Sequence, residues 1–547
     1  MIAKKNLLTF LIILLLGTGL RFIFLDRNCL WYDEAVSLNI HQPISTTFSF
    51  RDATSIEAQG LLYYYALKPW SYFFSNVSIF SLRAFSAMMS VLTILVLYLA
   101  GNLFFSRKAA LWSVLILSIS PLHIWYSQEI KGYTLATLLV LSSIVFLILA
   151  LERERKIYWV GFILFSLLAL FTYYQMSFIL VATGISLLTI RKLRKKWKEF
   201  FISCTIIAIC FSPYLLIVTR QQFKIFNSIL NWIIKPPPIA LLFTFFEFNL
   251  GYSSTELLYF ISGLIIIWIF TAGLRRGKIS EEKWLRLKLI TYIISFSILL
   301  TFAVSQIIPL YLTRYLLPLS VLYYLLMGVA IESYQYKYKK FTILALVGIM
   351  GISCFYYYQN NFKNYSDLYP RYPFHQGVHR KDNAMEEVME IFNRNAQEGD
   401  ILAISHQSLL PGVYYYSKHY LEKDFSELVL RIIYLGKKRE TINPLFVPTF
   451  LIVTQKCLSE DRYASGVAEY VQNHVARFNT VYADKGDLEK VNFKRLWLLV
   501  SSWDNEDGNY DKFSLGVEKW CDSNLKNISK ERRENIGILL YENTGKL

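Results

Sequence analysis

Residues 7–25 read LLTFLIILLLGTGLRFIFL, and residues 257–274 read LLYFISGLIIIWIFTAGL. Each is close to the ~20 apolar residues that a helix needs to cross the hydrocarbon core of a bilayer. Similar blocks recur along the first two-thirds of a 547-residue chain that is 54% hydrophobic, 16% aromatic and only 18% charged. A single ordinary soluble domain does not carry that much apolar surface, so the reading is an α-helical polytopic membrane bundle. The candidate spans are 6–25, 80–105, 109–125, 133–151, 157–175, 176–190, 200–219, 254–274, 287–308, 315–332 and 340–358, about eleven transmembrane helices in all. Residues 239–250 are apolar but short and follow Pro236-Pro237-Pro238, which suits an interfacial or re-entrant helix.

The formal net charge of +17 does not point to nucleic acid, because the basic residues form short clusters between apolar blocks rather than one stripe. Lys4-Lys5, Arg107-Lys108 and the clusters at 153–156, 191–198, 275–288 and 337–340 recur after every second span, as in cytoplasmic loops. This places the N-terminus in the cytoplasm and, with an odd number of spans, everything after Gln359 outside it. Residues 7–25 show no small-x-small cleavage site before Asp26, so the first block is read as a retained helix rather than a signal peptide.

The chain therefore divides into a transmembrane domain, 1–358, and a soluble extracytoplasmic domain, 359–547. The second reads as α/β. An amphipathic helix over 384–396 and another over 463–478 alternate with short apolar runs at 401–404, 450–453, 496–500 and 536–541, which read as strands. No phosphate loop, metal-ligand spacing or nucleophile elbow occurs there, which suggests binding or support. Cys457 and Cys521 share this domain, but spacing alone does not establish a disulfide. The acceptor patterns beginning at Asn76, Asn364 and Asn527 are read as chance matches.

Ionisable residues at the ends of membrane spans are the informative ones, because such groups commonly carry function. Three places stand out. Trp31-Tyr32-Asp33-Glu34-Ala35 puts adjacent acids just beyond the first span, in a loop of roughly fifty residues, long enough for interfacial helices. Ser120-Pro121-Leu122-His123-Ile124-Trp125-Tyr126-Ser127-Gln128-Glu129-Ile130-Lys131-Gly132-Tyr133 falls at the same membrane face. So does Tyr311-Leu312-Thr313-Arg314-Tyr315-Leu316-Leu317-Pro318. Each has a plainer reading: solvated loop charge, a structural histidine, an arginine reaching for headgroups. Together, acids and cations on one face describe a site for an anionic lipid whose head undergoes chemistry.

In the Asp33-Glu34 pair, in Tyr126-Ser127-Gln128-Glu129-Ile130-Lys131-Gly132-Tyr133 and in Arg314-Tyr315-Leu316-Leu317-Pro318, the chain resembles the C-type (GT-C) membrane glycosyltransferases. The likeness, over roughly residues 1 to 335, is strongest to the bacterial and archaeal branch related to protein O-mannosyltransferases and lipid A aminoarabinose transferases. The resemblance implies a polyprenyl-phosphate-linked sugar as donor, a cell-surface acceptor (glycan, lipid or protein) and inversion at the anomeric carbon.

It makes Asp33 the candidate general base, with Glu34 orienting it or binding acceptor or metal. Glu129 joins them as a catalytic candidate that contacts sugar or acceptor, or holds Lys131. Lys131 and Arg314 would carry the donor phosphate, a leaving group that needs positive charge more than a proton. His123, Tyr126, Gln128, Tyr133 and Tyr315 are the candidate substrate-binding residues. Lys131 stands where relatives often have arginine, losing the bidentate fork. The stretch Glu57-Ala58-Gln59-Gly60 lacks the prolines found in many relatives, so a divalent metal remains an open cofactor. The alternative is a transporter or lipid flippase with an external receptor domain. That reading predicts internal inverted repeats and broken helices near the midplane, whereas the sequence shows no repeat and its charged residues cluster at one membrane face.

Overall fold

The computed structural model describes residues 2–30, 33, 34, 37, 60–74, 78–222, 235–252, 254–273, 279–333, 336–359, 384–397, 400–404, 413, 416, 431–435, 479–483, 494–501, 512–533 and 536–544. Its contacts divide the chain into two compact units. One comprises Met1–Asp26 and Glu57–Arg380; the other comprises Arg27–Ile56 and Lys381–Leu547. The loop bearing Asp33 and Glu34 thus groups with the C-terminal domain, an association that hydropathy along the chain does not reveal.

The first unit is a helical bundle, and the protein is a polytopic membrane protein. Among the described residues, six helices are long and apolar enough to cross a membrane: Ile79–Phe104, Tyr133–Arg153, Arg194–Thr219, Glu281–Ser305, Thr313–Glu332 and Lys340–Tyr358. A seventh span results if Arg107–Ser118 and Pro121–Ser127 count as one. Shorter apolar helices cover Asn6–Phe22, Lys156–Thr172, Met176–Thr189, Ala240–Leu250 and Leu257–Thr271. The expected continuous helix over 109–125 is instead broken, its halves meeting at 60°. Pro121 supplies the cause: it has no N–H to donate and its ring disfavours helical backbone at Ser120. Ser120 is extended and caps the second half by accepting the backbone N–H of His123 at 3.3 Å.

The basic clusters gather at one end of this bundle. Arg286 forms an ion pair with Glu152 and donates to the carbonyl of Phe104, Lys196 pairs with Glu154 at 2.7 Å, and Lys192 pairs with Glu281. Ser106 caps Arg107–Ser118 and donates to Glu332 at 2.5 Å. Exposed pairs of this kind add little stability, but they show that the helix ends near residues 104, 153, 196, 281 and 332 share a face. The opposite ends, near residues 118–133 and 305–317, carry the candidate site.

The second unit contains a six-stranded mixed sheet. Strands β1 (Ile401–Ile404), β2 (Arg431–Leu435), β3 (Asn479–Ala483), β4 (Arg495–Ser501), β5 (Lys526–Arg533) and β6 (Ile536–Glu542) lie in the order β3-β2-β1-β4-β6-β5. Pairings from β3 to β4 are parallel, and β6 joins β4 and β5 antiparallel. The apolar runs at 401–404, 496–500 and 536–541 are strands as expected, and Ala384–Asn395 is the expected amphipathic helix. The runs at 450–453 and 463–478 lie outside the described residues. Strand β5 (KNISKERR) was not expected. It is charged because it closes the edge of the sheet, where charge discourages further pairing; Asn527 sits on it.

Buried Asp400 anchors the start of β1, accepting both arms of Arg495 at 2.7 and 3.0 Å and the indole N–H of Trp497 at 2.8 Å. Cys521 is a buried free thiol whose pKa is pushed up to about 12 by burial; Cys457 lies outside the described residues.

Candidate active site

The break at Pro121 builds the site. Pro121–Ser127 is followed by a tight turn, in which the N–H of Lys131 reaches the carbonyl of Glu129 at 2.8 Å, before Tyr133–Arg153 begins. Gly132 fits this turn because a Cβ there would stand 3.0 Å from the Thr172 methyl and 3.1 Å from Cβ of Tyr63. The turn carries Glu129, only 1% exposed, whose Oε1 accepts the indole N–H of Trp125 at 2.7 Å. A buried carboxylate held by a rigid indole is fixed in direction, as a catalytic or sugar-binding acid requires.

Tyr126, Tyr133 and Tyr315 line one aromatic path. Ring centroids run from Tyr126 to Tyr133 at 4.9 Å, to Tyr173 at 5.1 Å and to Tyr315 at 6.1 Å. Arg314, on the 3-10 turn Thr313–Leu316, is 5% exposed and its guanidinium lies 5.5 Å from the Tyr315 ring centre. This path joins the Glu129 turn to Arg314, 185 positions apart in sequence. Lys131, also buried, donates to the Tyr64 hydroxyl at 3.3 Å.

His123 and Gln128 are placed differently. The His123 Nε2 bonds Ser320 Oγ at 2.6 Å. Gln128 donates to the carbonyls of Arg21 and Ile23 at 3.1 and 3.0 Å and accepts from Tyr357 at 2.6 Å. Both side chains join helices to one another. Asp33 and Glu34 belong to the second unit. There Glu34 is buried, and the Asp33 carbonyl accepts from Ser37 Oγ at 2.7 Å. Trp31, Tyr32, Glu57 and Gln59 lie outside the described residues.

The sequence reading missed Glu247 and Tyr252, and gave Tyr311 no role of its own. The short helix Ala240–Leu250 buries Glu247 and ends at Gly251, whose φ of +62° suits glycine. The turn delivers Tyr252 to hydrogen-bond Tyr126 at 2.8 Å. Tyr311 bonds Thr244 at 2.6 Å. Burial holds its phenol above the ordinary range, Thr244 opposing and Glu247 adding to the shift. The available signal was an acid inside a mostly apolar dodecamer, 239–250. Among the described residues no three His, Cys, Asp or Glu side chains converge as a metal site.

A family described as dolichyl-phosphate-mannose-protein mannosyltransferase matches residues 58–217, under half the chain but including the Glu129 turn. Among solved structures, ArnT from Cupriavidus metallidurans bound to undecaprenyl phosphate has a TM-score of 0.60 at 11% identity, covering 97% of each chain. At 11% identity this likeness is one of fold. The apo state of the same ArnT gives a TM-score of 0.59 at 11% identity, over 99% of this chain and 98% of that one. No curated protein matches the sequence. The expected helical bundle with a C-terminal α/β domain is the architecture found.

Proposed function

We propose that this chain is an integral-membrane glycosyltransferase. It moves a sugar from a polyprenyl phosphate to an acceptor outside the cytoplasm, with inversion. The observation that carries the reading is the tyrosine path that joins the turn bearing buried Glu129 to buried Arg314 in a fold shared with a protein whose structure holds undecaprenyl phosphate. Arg314 and Lys131 bind the donor phosphate and stabilise the charge that develops as the sugar leaves. Glu129 and the tyrosine path hold sugar or acceptor. The acceptor oxygen bonds the anomeric carbon as its bond to the phosphate oxygen breaks, and the hydroxyl proton passes to a carboxylate base.

Asp33 is the proposed base, with Glu34 beside it, roles carried over from the family resemblance. Glu34 is also a candidate ligand for a divalent metal, which titration with a chelator tests. The family description supports a hexose, mannose first. The positions of the basic clusters support a cytoplasmic N-terminus and an external C-terminal domain.

The deciding experiment measures transfer from a panel of polyprenyl-phosphate sugars to cell-envelope acceptors in nanodiscs, comparing wild type with Asp33→Asn. Transfer in wild type and a loss of about 10³-fold in Asp33→Asn, with donor binding retained, is expected. A folded wild type that transfers nothing across the panel overturns the enzyme reading. Equal rates overturn the role of Asp33.

A further inference from the structure

Arg21 interrupts the apolar stretch with which the chain opens, yet it is 0% exposed. A buried guanidinium needs acceptors on several sides, and the broken helix supplies them. Because Arg107–Ser118 stops inside the bundle, its last carbonyls lack the i+4 N–H partners of a continuing helix, and that of Leu117 takes the Ser120 N–H only at 3.3 Å. Arg21 donates to the carbonyl of Leu117 at 3.0 Å and to that of Ser118 at 3.1 Å. It also reaches Ser90 Oγ at 2.7 Å and the carbonyl of Gly17 at 2.8 Å. Cys354 donates to the next carbonyl, of Ile119, at 3.2 Å. No carboxylate among the described residues pairs with Arg21, so its counter-charge is the negative end of the helix it caps.

The same residue holds the far side of the break. The backbone carbonyl of Arg21 accepts the Gln128 amide, Tyr357 closes on Gln128 Oε1, and Tyr358 donates to Leu20. Tyr357 also packs on Trp125 at 5.3 Å between ring centres, and Trp125 holds Glu129. The seven-residue helix between the two halves of this clasp therefore has both ends tied to the region of Arg21. We infer that Arg21 is a positioning residue: it holds the kink that Pro121 makes and thereby the direction of the Glu129 carboxylate, without itself touching substrate. The catalytic part of this inference rests on the transferase reading above.

Two measurements on the full chain in nanodiscs test it, one independent of activity. Hydrogen exchange of residues 119–132 is expected to quicken at least about tenfold in Arg21→Met, as bonds fixing the segment are lost, while residues 281–305 keep wild-type protection. In the transfer assay, kcat per molecule able to bind undecaprenyl phosphate is expected to fall about 100-fold, with donor KM unchanged within about threefold. Arg21→Lys keeps the charge but not the fork, and recovers about tenfold of that loss. Tyr357→Phe, which removes a single hydroxyl and is expected to fold, lowers kcat about fivefold at constant KM.

Wild-type exchange in Arg21→Met, wild-type kcat per binding-competent molecule, or a loss carried wholly by KM overturns the inference. Should Arg21→Met not fold, a wild-type kcat and wild-type exchange in Tyr357→Phe overturn it. Should wild type prove inert with every donor, the transferase reading fails, and the exchange experiment still decides whether Arg21 holds the segment.

Discussion

Four spans of the bundle make an instructive contrast. Over their most apolar windows, Thr313–Glu332 and Tyr133–Arg153 are 94% and 78% buried by protein, whereas Lys340–Tyr358 and Arg194–Thr219 are 39% and 28% buried. Hydropathy does not separate the pairs, since the most and the least apolar of the four are the two buried ones. Lipid and protein interior are both apolar surroundings, so a leucine is equally at home against either. The difference shows in where chemistry is placed. Glu129 and Lys131 immediately precede one central helix, and Arg314 lies at the start of the other. A charge there is packed by protein on every side and keeps its direction. The same charge on a peripheral helix would face lipid and turn toward the interface.

The largest expected effect tests whether the central helices carry the chemistry. Arg314→Ala should lower kcat/KM by about 10³-fold through loss of charge at the leaving phosphate. Arg314→Lys should recover part of that activity. Activity within tenfold of wild type in Arg314→Ala would remove Arg314 from the phosphate site. Glu129→Gln, which keeps an acceptor for the Trp125 indole, should cost about 10²-fold in kcat with the protein folded and donor binding intact.

The smallest effect separates centre from periphery on stability alone. A Cβ on Gly328, in the central helix, would stand 2.1 Å from Ser113 Oγ and 2.6 Å from the carbonyl of Ala109, whereas one on Gly348, in a peripheral helix, would meet nothing within 4 Å. Gly328→Ala should therefore destabilise by about 1–3 kcal/mol, an overpacking cost. Gly348→Ala should change stability by no more than about 0.5 kcal/mol. Thermal unfolding of the two variants in one detergent reads the difference, and equal shifts would break the comparison.

Much of this was legible in the chain. Spans such as 80–105 and 133–151 announce themselves because crossing a membrane requires a local run of apolar residues, and the strand at 536–541 because a central strand is apolar on both faces. Glu129, Lys131 and Arg314 stood out as candidates because charge beside such a run is costly unless it has a use. Gln128 and His123 looked like ligands for the same reason, yet their partners come from helices more than a hundred residues away. Glu247 and Tyr252 were overlooked because 239–250 is too short to read as a span.

The amino-acid sequence by itself determined that the chain crosses a membrane many times, ends in an α/β domain and gathers ionisable residues at the ends of its spans. These properties depend on runs of adjacent residues and on the transfer of each side chain out of water. The tertiary structure decided which spans are central, that the helix after Ser106 breaks, and that Arg21, Gln128 and Tyr357 clasp the break. Those outcomes depend on which distant carbonyls and hydroxyls are left without partners when the helices pack, and a buried polar group is satisfied in space rather than along the chain.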